Sequence, residues 1–248
     1  MLPRRVHKIP FVMFAVLMAG CSTSPVDLAV ETNIPAPVLA PLPLTVGVHY
    51  GDDFLQWVFE DEAGEDWVWR VDTRQAHLTL YRSLLQSMFD RVVELPAPFA
   101  EQADVTAVLV PQPVTLQLAL PELSPVGAFE AWVRYRIRLL DPVGEVLDEW
   151  EVAGYGQQGS AEFGGGRKTG IAEAIDRAHR DLGARLIFGF AERDEVRNWL
   201  CGALAPAAAE SLRDSGSALR CDPVAAVTPG AASAETGEVD EDAVTTTD

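Results

Sequence analysis

The sequence predicts an α+β fold: a mainly antiparallel sheet with two helices packed on one face. Three observations predict it. Two segments, residues 74–94 and 171–186, carry apolar side chains at helical spacing. A third segment, residues 129–152, alternates apolar and polar residues on both sides of a turn. The order along the chain (strand, strand, helix, several strands, helix) keeps the helices apart from a run of antiparallel strands.

Each element follows from local chemistry. Residues 44–50 alternate and predict a strand, and residues 67–71, with Trp67, Val68, Trp69 and Val71, predict another. Thr73 then stands where a helix cap belongs. Behind it Tyr81, Leu84, Leu85, Met88, Phe89 and Val92 make one apolar helical face over residues 74–94. Residues 105–110 form a compact apolar run. Val114, Leu116, Leu118 and Leu120 alternate beyond Pro111-Gln112-Pro113, which predicts one strand or a broken pair.

The hairpin is the clearest local signal. Phe129, Ala131, Val133, Tyr135, Ile137 and Leu139 share one face, and Val146, Trp150 and Val152 return beside them. Asp141-Pro142-Val143-Gly144 has the residue preferences of a type I turn. A symmetric four-residue turn sets Arg136 opposite Glu149 and Arg134 opposite Glu151. The basic stripe Arg134, Arg136 and Arg138 is then either paired across the strands or an anion or partner surface. A glycine-rich loop precedes Thr169 and a second helix, with Ile171, Ala174, Ile175, Ala178, Leu182 and Leu186 on one face. Val196, Trp199 and Leu200 close the core edge.

The ends of the chain read differently. Arg4, Arg5 and Lys8 precede an apolar run of residues 11–18, then Ala19, Gly20 and Cys21. That is the layout of a secretory signal, and the run falls short of the ~20 residues a permanent span needs. Residues 1–20 are therefore a signal peptide. Residues 21–43 read as a tether, since Pro25, Pro35, Pro37, Pro41 and Pro43 favour extended chain. Residues 44–200 are the folded domain. Residues 201–248 form a tail rich in Ala, Gly, Ser and Thr, with too little apolar bulk to offset chain entropy.

Leu17-Met18-Ala19-Gly20-Cys21 resembles the bacterial lipobox, with Met18 where an aliphatic residue is preferred. The resemblance implies a diacylglyceryl thioether on Cys21 and an amide-linked acyl chain such as palmitate. Ser22 in the next position implies the outer membrane, facing the periplasm. The segment Pro43-Leu44-Thr45-Val46-Gly47-Val48, the hairpin with Tyr135 and Trp150, and the Ala-rich helix from Ile171 also resemble a wider group. They are similar to small envelope lipoproteins on β-α-β-β-β-α sheets, including domains of secretion-channel and peptidoglycan-synthase-activator lipoproteins and uncharacterised proteobacterial lipoproteins. No activity is carried over from them. In an oxidising compartment the two remaining cysteines, Cys201 and Cys221, form an even pair, which favours a disulfide.

Charge and motifs narrow the function. With 19 basic and 37 acidic residues the net charge is -18, which argues against nucleic acid and against electrostatic docking on anionic lipid. His7 leaves with the signal. His49, His77 and His179 are far apart and lack metal-ligand spacing, so neither a metal nor a cofactor is expected. Gly164-Gly165-Gly166-Arg167-Lys168-Thr169-Gly170 departs from a phosphate loop, because Arg167 separates glycine from lysine. The carboxylates Asp52, Asp53, Glu60, Asp61, Glu62, Glu65 and Asp66 read as solvated loop charge rather than a glycosidase pair set ~5–10 Å apart. The expectation is a non-enzymatic outer-membrane lipoprotein. It acts as accessory or scaffold in a cell-envelope assembly, held by the acyl chains on Cys21 and engaging an envelope protein. The alternatives are a lipid or lipopolysaccharide carrier and a cell-wall hydrolase.

Overall fold

The computed structural model describes residues 26–32, 37–61, 68–100, 104–159, 166–204 and 221. The signal segment, Cys21 and most of the tail lie outside these residues. β1 (Val26–Ala29), β2 (Leu42–Val48), the single turn α1 (Asp52–Leu55), β3 (Val58–Asp61) and β4 (Trp69–Asp72) come first. Next are α2 (Arg74–Met88), β5 (Phe89–Glu94), β6 (Val108–Ala119), β7 (Ala128–Leu140) and β8 (Val146–Gly159). Finally come α3 (Gly166–Phe190) and α4 (Asp194–Ala203).

The fold is α+β, with two mixed sheets. A five-stranded sheet has the order β5-β2-β6-β7-β8, and a three-stranded sheet the order β1-β4-β3. β2 runs parallel to β5 and β6, while β6, β7 and β8 form an antiparallel meander. The parallel pairs go beyond the mainly antiparallel expectation. They arise because residues 49–88, with α2, separate β2 from β5 and supply the long crossover that parallel neighbours need. The segment expected to be a tether contributes β1, which pairs with β4 from Val26↔Trp69 to Ala29↔Asp72. Leu28 and Val30 are buried there, and their alternation with Asp27 and Ala29 suits a strand.

Two further boundaries differ from the sequence reading. Helical spacing carries the expected helix to residue 94, but α2 stops at Met88 and Phe89 turns straight into β5. Val92 and Val93 are β-branched and pair with Val46 and Gly47 of β2, which suits a strand. Thr73 holds the N-cap position without a side-chain cap bond. The Asp72 carboxylate instead accepts the Arg74 backbone N–H at 3.1 Å. The Pro111-Gln112-Pro113 segment does not break β6. β2 meets β6 only at Val108 and Leu109, so both prolines stand where no ladder donor is needed on that side.

α2 and α3 share one face of the larger sheet. Tyr81, Leu85 and Met88 of α2 and Leu186 and Phe190 of α3 close on Leu109, Pro111 and Ile137 around a cavity of only about 10 Å³. That is room for about one water. α3 crosses β8 closely because Gly154 and Gly156 have no Cβ. A methyl group on either would fall on the backbone carbonyl of Ala178 or Ala174. α3 also caps the free edge of β8: Asp181 accepts the Tyr155 backbone N–H at 2.9 Å and Arg177 donates to the Gln157 carbonyl at 2.8 Å.

α4 completes the core with Val196 and Leu200, both fully buried. Arg193, just before it, makes a bidentate pair with the buried Asp148 at 2.5 and 3.0 Å. Its guanidinium also lies over the Trp150 ring, 4.9 Å from the centroid. Cys201 of α4 is joined to Cys221 by a disulfide, with the Cα atoms 5.4 Å apart.

Candidate functional site

The carboxyl end of β2, flanked by β5 and by the start of β6, opens onto residues 49–53. In sheets with parallel strands such ends are where ligand crevices form. The chain leaves β2 as His49-Tyr50-Gly51 and enters α1, whose first turn carries Asp52 and Asp53. His49 Nδ1 lies 3.0 Å from the Leu95 carbonyl, which ties this loop to the end of β5.

Phe54 anchors α1 from below. Its ring stacks on His77 at 4.1 Å and on Tyr50 at 5.0 Å, and meets Tyr81 edge-on at 5.5 Å. Beneath it lies a buried polar centre. His77 Nδ1 is 3.1 Å from the Tyr135 hydroxyl, and that hydroxyl is 3.5 Å from His179 Nε2. Two tautomeric arrangements satisfy both contacts: in each, the hydroxyl donates to one imidazole nitrogen and accepts an N–H from the other. Burial pushes His77 down to about 4, opposed by the Phe54 backbone and Asp72. Burial, with His77 nearby, pushes His179 down to about 3. Burial also drives the Tyr135 hydroxyl above its ordinary value. All three groups are therefore neutral near pH 7, and all three side chains are buried. They hold the core together and have no exposure through which to act on a substrate. Their sequence separation hid the cluster, and only Tyr135, placed among β-branched residues on the apolar face of β7, hinted at a polar partner.

Around α1 the surface is hollowed three times. One hollow of about 550 Å³ runs from His49 and Asp52 to Arg82 and Glu94. A second, about 420 Å³, lies between Asp52, Asp53, Trp57 and Gln112. The third, about 240 Å³, lies between Asp52, Asp53, Gln112, Pro98, Pro111 and Arg138. Arg82 and Glu94 close on each other at 2.6 and 2.9 Å. That hydrogen bond holds the Glu94 carboxyl below its ordinary range.

The basic stripe divides. The hairpin register is offset by two residues from the symmetric expectation: Arg136 lies opposite Glu151, Arg138 opposite Glu149 and Arg134 opposite Ala153. One residue comes from the turn, where Asp141 N–H donates to the Glu145 carbonyl and Gly144 takes a φ of 98°. The other comes from an irregularity between Leu139 and Leu140. A shift of two keeps every side chain on its own face, so the arginines still meet the glutamates. Arg136 bonds Glu151 at 3.0 Å and approaches Glu149 at 3.5 Å, and Arg134 reaches Glu151 at 3.4 Å. The arginines, Arg136 first, hold the Glu151 carboxyl below its ordinary range. Arg138 has neither an ion pair nor a hydrogen bond among the described residues, and its Nε is buried without an acceptor.

The other sequence candidates are dispersed. Lys168 donates to the Asp27 carbonyl at 3.0 Å and Arg167 pairs with Glu122 at 2.8 Å, tying the start of α3 to neighbouring chain. Residues 160–165 and 62–67, with much of the glycine loop and the acidic loop, lie outside the described residues. Among the described residues no group of three His, Cys, Asp or Glu side chains is placed to hold a metal. No helix among them is long and apolar enough to cross a membrane.

No family of known proteins matches the sequence, and no curated protein does either. Several solved structures are similar to part of the chain. A Xanthomonas campestris protein of the DUF330 family is 10% identical, covering 65% of this chain and 92% of its own, with a TM-score of 0.45. A Chlamydia trachomatis protein is 13% identical over 64% of this chain and 99% of its own, with a TM-score of 0.36. A Caulobacter crescentus chain named "putative lipoprotein" is 14% identical over 50% of this chain and 80% of its own, with a TM-score of 0.29. At these scores the likenesses carry no functional argument.

Proposed function

We propose that this protein is a lipid-anchored, non-enzymatic component of the bacterial cell envelope. It is held at the outer membrane by acyl chains on Cys21, faces the periplasm, and serves as an accessory or scaffold to an envelope protein. The carrying observation is the run Leu17-Met18-Ala19-Gly20-Cys21 behind a basic and then apolar segment. Each buried methylene of an acyl chain contributes ~0.8 kcal/mol, and two or more chains make the attachment stable. A net charge of -18 supports this route over electrostatic attachment to anionic lipid. The disulfide between Cys201 and Cys221 suits an oxidising compartment.

A lipid carrier is disfavoured by the packing between sheet and helices. Among the described residues the cavity there holds about 10 Å³, room for about one water and not for an acyl chain. The test of the anchor is fractionation of cells making the full chain. Recovery in the outer-membrane fraction, lost with Cys21→Ala, is the expected result. Crosslinking in intact cells should then capture one dominant envelope partner, and a spread of abundant bystanders would count against the scaffold role.

A further inference from the structure

We propose that the hollow between α1 and the β6–β7 ladder binds a small zwitterion, an amino acid or dipeptide. Its carboxylate meets Arg138 and its ammonium meets Asp52 and Asp53. The proposal does not depend on the lipid anchor.

The first observation is the isolation of Arg138. Its two neighbours in the stripe are paired with Glu149 and Glu151, so their charge is matched within the hairpin. Arg138 lines the hollow and has no ion pair among the described residues. Its Nε is packed away from solvent without an acceptor, while the half-buried side chain as a whole borders the hollow. A planar guanidinium with free N–H groups matches a carboxylate, which it can hold by two parallel hydrogen bonds.

The second observation is the opposite wall. Asp52 and Asp53 line the same hollow, yet neither closes on Arg138. Both signs of charge face one space and are left apart across it. Gln112 is bonded weakly to Asp53 at 3.4 Å and belongs to the same wall. An anion alone would meet two carboxylates, and a cation alone would meet the guanidinium. A ligand with both groups is complementary to both walls. The hollow of about 240 Å³ has room for a small amino acid or dipeptide. Pro98 and Pro111 stiffen its sides, so little ordering accompanies binding.

The test is calorimetric titration of the full chain with alanyl-alanine, its N-acetyl form and its C-terminal amide. Saturable binding of alanyl-alanine is expected. Removing either end charge should weaken it about tenfold or more, since a charge-assisted contact is lost. Arg138→Gln should weaken it by the same order while leaving the melting temperature in place, because no partner is lost. The double variant Asp52→Asn with Asp53→Asn tests the other wall should Arg138→Gln fail to fold. Three results would overturn the proposal: no heat up to about 10 mM peptide, binding unchanged in the variants, or a blocked peptide binding as tightly as the free one.

Discussion

His77 and His179 are the residues whose chemistry the fold changes most. Both folded-state values, about 4 and about 3, lie below the ordinary 6.5. Between those limits the unfolded chain binds more protons, so stability falls as pH falls. The histidine contribution is complete above about pH 6.5 and is lost progressively toward pH 3. At about 1.4 kcal/mol per unit, the two together remove several kcal/mol by pH 4. Thermal melts from pH 7 to pH 4 should show this drop, and His179→Gln should flatten it. A melting temperature constant over that range would contradict the buried neutral pair. The Arg193–Asp148 pair is a second residue-scale test. Arg193→Ala leaves a buried carboxylate without its guanidinium and should cost roughly 1–3 kcal/mol in urea unfolding, since Arg193 is partly exposed.

At the scale of elements, the contact of α3 with β8 rests on what two residues lack. Gly156→Val would place a branched side chain where the Ala174 carbonyl lies. It should destabilise the protein by at least ~1–3 kcal/mol, read as a lower urea midpoint. Opening the disulfide with Cys221→Ser should cost about 3 kcal/mol in the chain-entropy account of a loop of this length. Much of this level was legible in the sequence. The two long helices, the hairpin and its polar face follow from periodicity, which depends only on neighbouring residues. The hairpin register lies two residues away from the symmetric expectation, because the Gly144 turn and the irregularity after Leu139 both add a residue. The faces survived because two errors of one residue restored the parity. What periodicity could not give was pairing between distant segments. The sequence of β1 resembles a tether because its partner, β4, lies some forty residues on. Phe54, His77, Tyr135 and His179 come from four different elements, and no local pattern links them. The hollow around α1 is equally hidden, because Arg138 lies far along the chain from Asp52 and Asp53.

At the scale of the whole molecule, the acidic body and the acylation proposed at Cys21 would pull in different directions. The body repels anionic headgroups, while the chains on Cys21 would enter the bilayer. Raising salt should therefore leave membrane recovery of the full chain unchanged, because hydrocarbon burial is not screened. Release by salt would indicate electrostatic attachment instead. The larger sheet adds a constraint of its own. Asp181 and Arg177 occupy two outer hydrogen-bonding positions of β8, at Tyr155 and Gln157, so an incoming strand cannot form an unbroken ladder along that edge. Edge-to-edge stacking of copies through the C-terminal part of β8 is therefore discouraged by the same side chains that seat α3.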